Sequence, residues 1–339
     1  MASAALYGFE GESLTSDEKA FFRDADPWGF ILFARNVDRP GQVRRLTDSL
    51  RDLLGREVPV FIDQEGGRVQ RFRPPVWRDA PAADRFGALW DREPELALEA
   101  VRLNHRLLGA ELIASGVDVD FAPCLDLRIE GAHDVIGDRA FHGDPKAVSA
   151  MGDAAIAGLQ DQGVLGVIKH IPGHGRADKD SHLDLPVVTA DEETLCTSDF
   201  RAFMGLSNVT MAMTAHVVYT AIDADDPVTL SSEGVQRIIR GHIGFDGLLM
   251  TDDLSMKALQ GPMRVSGERA LKAGCDLLMH CNGQMPEMIE IAHAAPRLDG
   301  RARERAEAAL ARRRAPAELE FDAGVARLSA LFEEAGLTL

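Results

Sequence analysis

Apolar residues in this chain gather in short runs, each bounded by turn-forming residues and each closing on polar or charged groups. The runs cover residues 3–9 (SAALYGF), 28–33 (WGFILF), 58–63 (VPVFID), 117–127 (VDVDFAPCLDL), 164–171 (VLGVIKHI), 209–217 (VTMAMTAHV), 245–253 (FDGLLMTDD) and 275–282 (CDLLMHCN). Runs this short, apolar and flanked by turn signals predict eight strands. The stretches between them, such as 94–116 and 144–163, carry helical spacing. Strand and helix in alternation predict an α/β fold, a (β/α)₈ TIM barrel in a single domain. A doubly wound open sheet is the structural alternative, and eight runs favour closure. No linker rich in Pro, Gly or Ser divides the chain, so one catalytic domain is expected, with the barrel over about 3–295 and a charged helical tail over about 297–339. Within that tail, 297–314 holds seven arginines interrupted by Asp299, Glu304 and Glu307, and reads as a solvated helix.

The polar residues fall at the ends of the runs: Asp63-Gln64-Glu65, Asp126, Lys169-His170, His216, Asp252-Asp253 and Asn282. In a (β/α)₈ barrel the active site is built at the C-terminal ends of the strands, so this recurrence fits an enzyme better than core packing.

Composition narrows the function classes. The formal charge is 37 − 54 = −17, distributed along the chain, which disfavours nucleic acid as a partner. The four cysteines, Cys124, Cys196, Cys275 and Cys281, form no CxxC pair, so neither a disulfide framework nor a zinc ribbon is indicated. Residues 1–19 lack the basic start of a secretory signal, and no apolar run approaches the ~18 residues of a membrane span. A cytoplasmic monomer without membrane contact is the expectation.

Three segments can carry chemistry. The first, 169–186 (KHIPGHGRADKDSHLDLP), packs three histidines and three aspartates into a Gly/Pro loop. His170 and His174 read either as structural histidines or, with His182, as metal ligands. Because Pro172 and Gly173 separate His170 from His174, the pair does not share a helix face as an HExxH pair does. A third reading pairs Asp180 with His182: at i and i+2 of an extended loop both side chains lie on one side, so the carboxylate can orient the imidazole for general acid/base work near neutral pH. The second segment, 245–256 (FDGLLMTDDLSM), ends a strand in adjacent carboxylates that point to opposite faces. Asp252 is expected to face the barrel mouth, and Asp253 to cap a following helix. The third, 60–72 (VFIDQEGGRVQRF), places Asp63 and Glu65 before a tight Gly-Gly turn and Arg68 and Arg71 after it, without the spacing of a phosphate loop. Carboxylate plus arginine at a barrel mouth suits sugar hydroxyls.

Taken together, DQEGGRVQRF, VIGDRAF, KHIPGHG followed four residues later by DSH, and TDDLSM resemble glycoside hydrolase family 3, from about residue 8 to 285, and specifically its single-domain bacterial β-N-acetylhexosaminidases of peptidoglycan recycling. Ile171 stands where phenylalanine is common, Thr251 where serine is common, and Gly8-Phe9-Glu10-Gly11 replaces an Asp-containing pattern. The resemblance implies that Asp252 is the nucleophile, that His182 is the acid/base with Asp180 as its partner, and that Asp63, Arg71, Arg139, Lys169 and His170 bind N-acetylglucosamine. It also implies a TIM barrel, no metal or other cofactor, and as substrate N-acetylglucosamine β-linked to 1,6-anhydro-N-acetylmuramic acid in muropeptides.

Retention needs a nucleophile on one face of the anomeric carbon and a proton donor on the other. Asp252 and His182 would fill these roles. The competing readings are a β-glucosidase or glycoside phosphorylase of the same family, a metallohydrolase using His170, His174 and His182, and a non-catalytic sugar-binding regulator.

Overall fold

The computed structural model describes residues 1–339 except 182, 207 and 260. Eight parallel strands close a barrel: β1 Ser3–Tyr7, β2 Pro27–Leu32, β3 Val60–Ile62, β4 Val119–Asp120, β5 Leu165–Ile171, β6 Met211–Thr214, β7 Leu248–Asp253 and β8 Leu277–His280. Each strand pairs with its sequence neighbours, and β8 returns to β1 with Leu6 opposite Met279. Every predicted run holds one of these strands, and closure removes the open-sheet alternative.

Helices cover the outside: α1 Ser16–Ala25, α2 Pro40–Leu54, α3 Ala83–Trp90, α4 Pro94–Ala114, α5 Pro145–Asp161, α6 Glu192–Thr197, α7 Glu233–His242, α8 Met263–Ala273 and α9 Met285–Ala294. Local signals fix their starts. Thr15 and Glu18 form a reciprocal capping box at α1, Asp144 caps α5 by accepting from the Lys146 main-chain N–H, and α2, α4 and α5 carry proline in the first turn.

Side chains alternate along the strands. Ala4, Leu6, Trp28, Phe61, Val119, Leu165, Val167, Met211, Met213, Leu248, Met250, Leu277 and Met279 belong to one buried cluster, which fills the barrel. Their neighbours Ala5, Tyr7, Phe30, Val60, Ile62, Ile168, Ala212, Leu249 and Leu278 pack with the helices in another. Followed one step further, the inward parity reaches Asp63, Lys169, Asp252 and Cys281, so the alternation that builds the core also delivers polar groups to the mouth.

The tail forms a charged, mostly exposed helix, but one face of it is buried. Leu298, with Ala306 and Ala309 of helix α10 (Gly300–Leu310), is buried in the barrel-filling cluster with Trp28. Arg305 pairs with Asp276 at 3.0 Å and Asp246 at 2.7 Å, and Arg313 pairs with Asp118 at 2.8 Å. The helix therefore lies across the N-terminal end of the barrel, its small residues inward and its arginines clamped to strand-entry carboxylates. Helix α11 (Phe321–Glu334) follows and packs Leu328, Leu331 and Phe332 against the outer core.

Candidate active site

At the C-terminal ends of the strands a pocket of about 170 Å³ is lined by Ile31, Phe33, Asp63, Val69, Arg71, Arg139, Lys169, His170, Met213, Asp252, Asp253, Met256, Met279 and Cys281. Six residues singled out in the sequence, Asp63, Arg71, Arg139, Lys169, His170 and Asp252, thus meet in one cavity.

One wall is a continuous charged array. Lys169 Nζ lies 2.8 Å from Asp63 Oδ1 and 2.6 Å from Glu65 Oε1, Arg71 Nη2 is 3.0 Å from Asp63 Oδ2, and Arg139 makes a two-pronged pair with Glu65 at 2.9 and 2.8 Å. Burial works against the charge on Asp63, but Lys169 and Arg71 outweigh it and hold the carboxyl well below the usual range. Glu65 follows the same balance: burial opposes ionisation, yet Arg139 and Lys169 hold it at about 2. Burial alone would discharge Lys169, whereas Asp63 and Glu65 raise it above its ordinary value.

The array is positioned by a short hairpin, Gln64–Gly66 with Val69–Gln70, turned by Gly66 and Gly67 at φ 100° and 54°. Buried Gln64 accepts from the main-chain N–H groups of Arg71 at 2.8 Å and Phe72 at 2.9 Å, which fixes where Arg71 leaves the backbone. Arg139 comes from the turn Gly137–Arg139. Arg68 holds the segment before that turn, donating to the carbonyls of Asp134 at 2.8 Å and Val135 at 2.7 Å. The Phe33 ring sits near two guanidinium carbons, Arg35 at 4.7 Å and Arg71 at 5.5 Å from its centroid.

His170 is oriented from behind. Its Nδ1 lies 2.6 Å from Asp126 Oδ2, while Asp126 Oδ1 accepts from the His174 main-chain N–H at 2.5 Å. Burial would raise the Asp126 carboxyl, but His170 prevails and holds it down. His174 is buried and lowered to about 4 by burial and by neighbouring His170, so it is a neutral structural histidine near pH 7. Its Nε2 meets Ser181 Oγ at 3.3 Å, and the Ala258 N–H donates to the Ser181 carbonyl at 3.2 Å. Ser181 is therefore held from two sides. Asp180 is half-buried beside it, its carbonyl accepting from the Leu183 and Asp184 N–H groups at 2.9 and 3.1 Å. His182 lies outside the described residues.

Asp252 reaches the pocket by inward parity, and its Oδ1 accepts from the Asp253 N–H at 2.8 Å. Asp253 does not cap a helix. The next helix, α8, starts at Met263 after Pro262, and the Asp253 carboxylate instead accepts from the Ser255 main chain at 3.0 Å, the Ser255 hydroxyl at 2.6 Å and the Cys281 N–H at 3.1 Å. The physical cause is a register shift between β7 and β8 from Met250 to Asp253, which ends strict alternation and brings Asp253 to the rim beside Asp252. Behind them, buried His216 donates from Nε2 to the Asp253 carbonyl at 3.1 Å, and burial lowers its proton affinity.

Glu65 and Asp126 are the site carboxylates that the sequence analysis noticed at strand ends without giving them a role. Gly8, where the first strand departs from the family pattern, has a local reason: a Cβ there would strike the Cys281 carbonyl, and Arg35 donates to that carbonyl and to Phe9 O.

The pocket alternates fixed anions and cations around a volume suited to one sugar ring, with methionines and Phe33 supplying apolar surface. The chain is 41% identical over 284 residues to a beta-hexosaminidase of Alkalilimnicola ehrlichii, covering 82% of this chain and 80% of that protein. It is 38% identical over 276 residues to a beta-hexosaminidase of Bordetella avium, covering 80% and 78%. Among solved structures it superposes on native NagZ from Neisseria gonorrhoeae with a TM-score of 0.85 at 31% identity, covering 100% of this chain and 98% of that one. The same protein in complex with N-trifluoroacetyl-D-glucosamine gives a TM-score of 0.83 at 30% identity, covering 99% and 96%. Residues 13–312 match the family described as the glycosyl hydrolase family 3 N terminal domain, and with a closed barrel and a sugar-sized charged mouth the chain belongs to glycosyl hydrolase family 3.

Proposed function

We propose that this glycoside hydrolase, a β-N-acetylhexosaminidase, works by retaining, two-step chemistry on muropeptides, cleaving N-acetylglucosamine from 1,6-anhydro-N-acetylmuramic acid during peptidoglycan recycling. The observation that carries the reading is the pocket itself: Asp252 enters from β7, while Asp63 and its cations enter from β3 and β5, across and around the barrel. A sugar held by the charged array presents its anomeric carbon to Asp252.

In the first step an Asp252 oxygen attacks that carbon. The glycosidic C–O bond breaks with its electron pair going to the leaving oxygen, which takes a proton from the His182 imidazolium. The neutral imidazole then takes a proton from water, the water oxygen attacks the same carbon, and the Asp252 ester is released. Asp180 holds the imidazole and balances its charge. Asp63, Arg71, Arg139, Lys169 and His170 bind the sugar hydroxyls and acetamide, and the chemistry needs no metal.

A single catalytic domain, with the barrel over about 3–295 and the tail over about 297–339, acts as a monomer in the cytoplasm. In support of a non-membrane setting, no helix among the described residues is long and apolar enough to cross a membrane.

Two measurements test this reading. Comparing kcat/KM for aryl N-acetylglucosaminide and aryl glucoside, with and without phosphate, separates it from the glucosidase and phosphorylase readings: preference for the glucoside, or dependence on phosphate, defeats it. In His182→Ala, activity should fall steeply for poor leaving groups and little for leaving groups that depart without protonation. Equal losses on both would remove the acid role.

A further inference from the structure

Behind the pocket, Cys124 Sγ, Asp126 Oδ2 and His170 Nδ1 converge, all three donor atoms lying within 4.8 Å of one another and all three residues buried. Topology produces this meeting. Cys124 and Asp126 are two apart on the extended segment leaving β4, and that segment continues beside β5, with Cys124 opposite Lys169 and the Leu125 N–H donating to the Lys169 carbonyl at 2.7 Å. The next residue of β5 is His170. Asp126 Oδ2 then receives two donors at once, the Cys124 thiol at 3.2 Å and His170 Nδ1 at 2.6 Å.

We propose that Cys124, Asp126 and His170 form an inhibitory binding site for a soft divalent cation, zinc above all. One thiolate, one imidazole and one carboxylate are a zinc-type donor set, and tetrahedral zinc with bonds of ~2.0–2.3 Å keeps its ligands roughly 3.3–3.8 Å apart. The spacings present are near this, so capture needs shifts of less than about 1 Å. The charge also balances. A Zn²⁺ that displaces the thiol proton, which leaves to solvent, is matched by one thiolate and the Asp126 carboxylate beside a neutral imidazole, so the loaded site carries no net charge. A buried cluster can make that exchange without acquiring a desolvated net charge. Water or a substrate oxygen completes the fourth position.

The consequence reaches the pocket through His170, which lines it, and through Asp126 Oδ1, which holds the main-chain N–H groups of His170 and His174. Metal capture pulls Asp126 and the His170 ring toward Cys124, away from the arrangement that faces the sugar. Cys124 itself packs against Ile136 and Ala140 and does not line the pocket, so it can be changed without touching the binding wall.

The experiment is a Co²⁺ titration of the metal-free protein, alongside zinc inhibition of aryl N-acetylglucosaminide hydrolysis. The spectrum does not rest on the proposed reaction, so failure of the site and failure of the reaction are distinguishable. Expected in the unmodified protein is a thiolate-to-cobalt charge-transfer band that saturates at one equivalent and is bleached by Zn²⁺, with a proton released on binding. Cys124→Val should match the parent in turnover without metal, show no band, and need at least ~10-fold more zinc for half-inhibition. Cys124→Ser, which keeps a small polar group, should also lose the band and covers the case in which valine is not accommodated. Absence of the band in the unmodified protein overturns the site. The same band in both variants would move the metal to another thiol, such as Cys281 in the pocket, and equal zinc inhibition of all three proteins would place inhibition elsewhere. Either result contradicts the proposal.

Discussion

At the floor of the barrel Asp118 and Asp276 are buried against arginines, and at the mouth half-buried Asp63 and Glu65 pair with a lysine and two arginines. The floor groups are saturated by structure. Asp118 accepts from the Val60 N–H at 2.8 Å and pairs with Arg51 and Arg313, while Asp276 accepts from the Leu249 N–H at 2.9 Å and pairs with Arg240 and Arg305. They tie strand entries to the tail. Burial dominates at Asp118, whose carboxyl is pushed up despite Arg313 and Arg51. At the mouth the cations win: Asp63, which lines the pocket of about 170 Å³, and Glu65, which shares Lys169 with it, are both driven down. Buried ion pairs alone therefore do not identify a site. Convergence on a cavity does.

Substitutions at the two ends should separate accordingly. Asp252→Asn at the mouth should lower kcat on aryl N-acetylglucosaminides by at least about 10³-fold while changing the urea midpoint little, because it removes the reacting carboxylate and keeps the side-chain oxygen that accepts from the Asp253 N–H. A loss under tenfold would remove Asp252 from the chemistry. At the floor, Asp276→Ala takes the carboxylate from buried Arg240 and the acceptor from the Leu249 N–H, and should cost about 3–5 kcal/mol in urea unfolding, with kcat per folded molecule unchanged. If stability held and kcat fell, the floor would be coupled to catalysis and the contrast between the ends would fail.

Lys169→Met tests the mouth more finely. Asp63 and Glu65 keep one arginine each, so kcat/KM should drop roughly 10- to 100-fold, in line with the loss of charge-assisted hydrogen bonds. The same variant should alter acid stability. Glu65 is held below its ordinary 4.5 at about 2, so its contribution is complete above pH 4.5 and fades as pH falls toward 2. With Lys169 gone Glu65 moves back up, and the fall in urea midpoint across that window should be shallower than in the parent. An unchanged slope would mean that Lys169 does not set the charge state of the wall. The smallest effect is expected at Glu268→Ala, which breaks an exposed pair with Arg264 on α8 and should change stability by no more than about 0.5 kcal/mol.

The barrel was legible because each strand is a compact apolar run with a polar end, and the same inward parity that packs Met250 delivers Asp252. Asp63, Lys169 and Asp252 met in one pocket for that reason, whereas Arg71 and Arg139 reach it from the hairpin and the turn. Parity failed at Asp253, where a shift in register turns a carboxylate expected to cap a helix toward the rim, and register is a property of two strands. The buried face of the tail was not legible because Ala306 and Ala309 bury little surface and form no apolar stripe among seven arginines. Only the closed end of the barrel shows what they cover. Asp126 could not be tied to His170 from a separation of 44 residues, since β4 and β5 become neighbours through folding alone.

The most direct test of Asp252 as nucleophile is to trap the intermediate with a fluorinated N-acetylglucosaminyl substrate that slows release more than attack, then to map the labelled peptide by mass spectrometry. The account predicts one added sugar as an ester on Asp252. A sugar on Asp253, which shares the rim, or turnover of the reagent with no labelled peptide and with activity lost to a chelator, would contradict it.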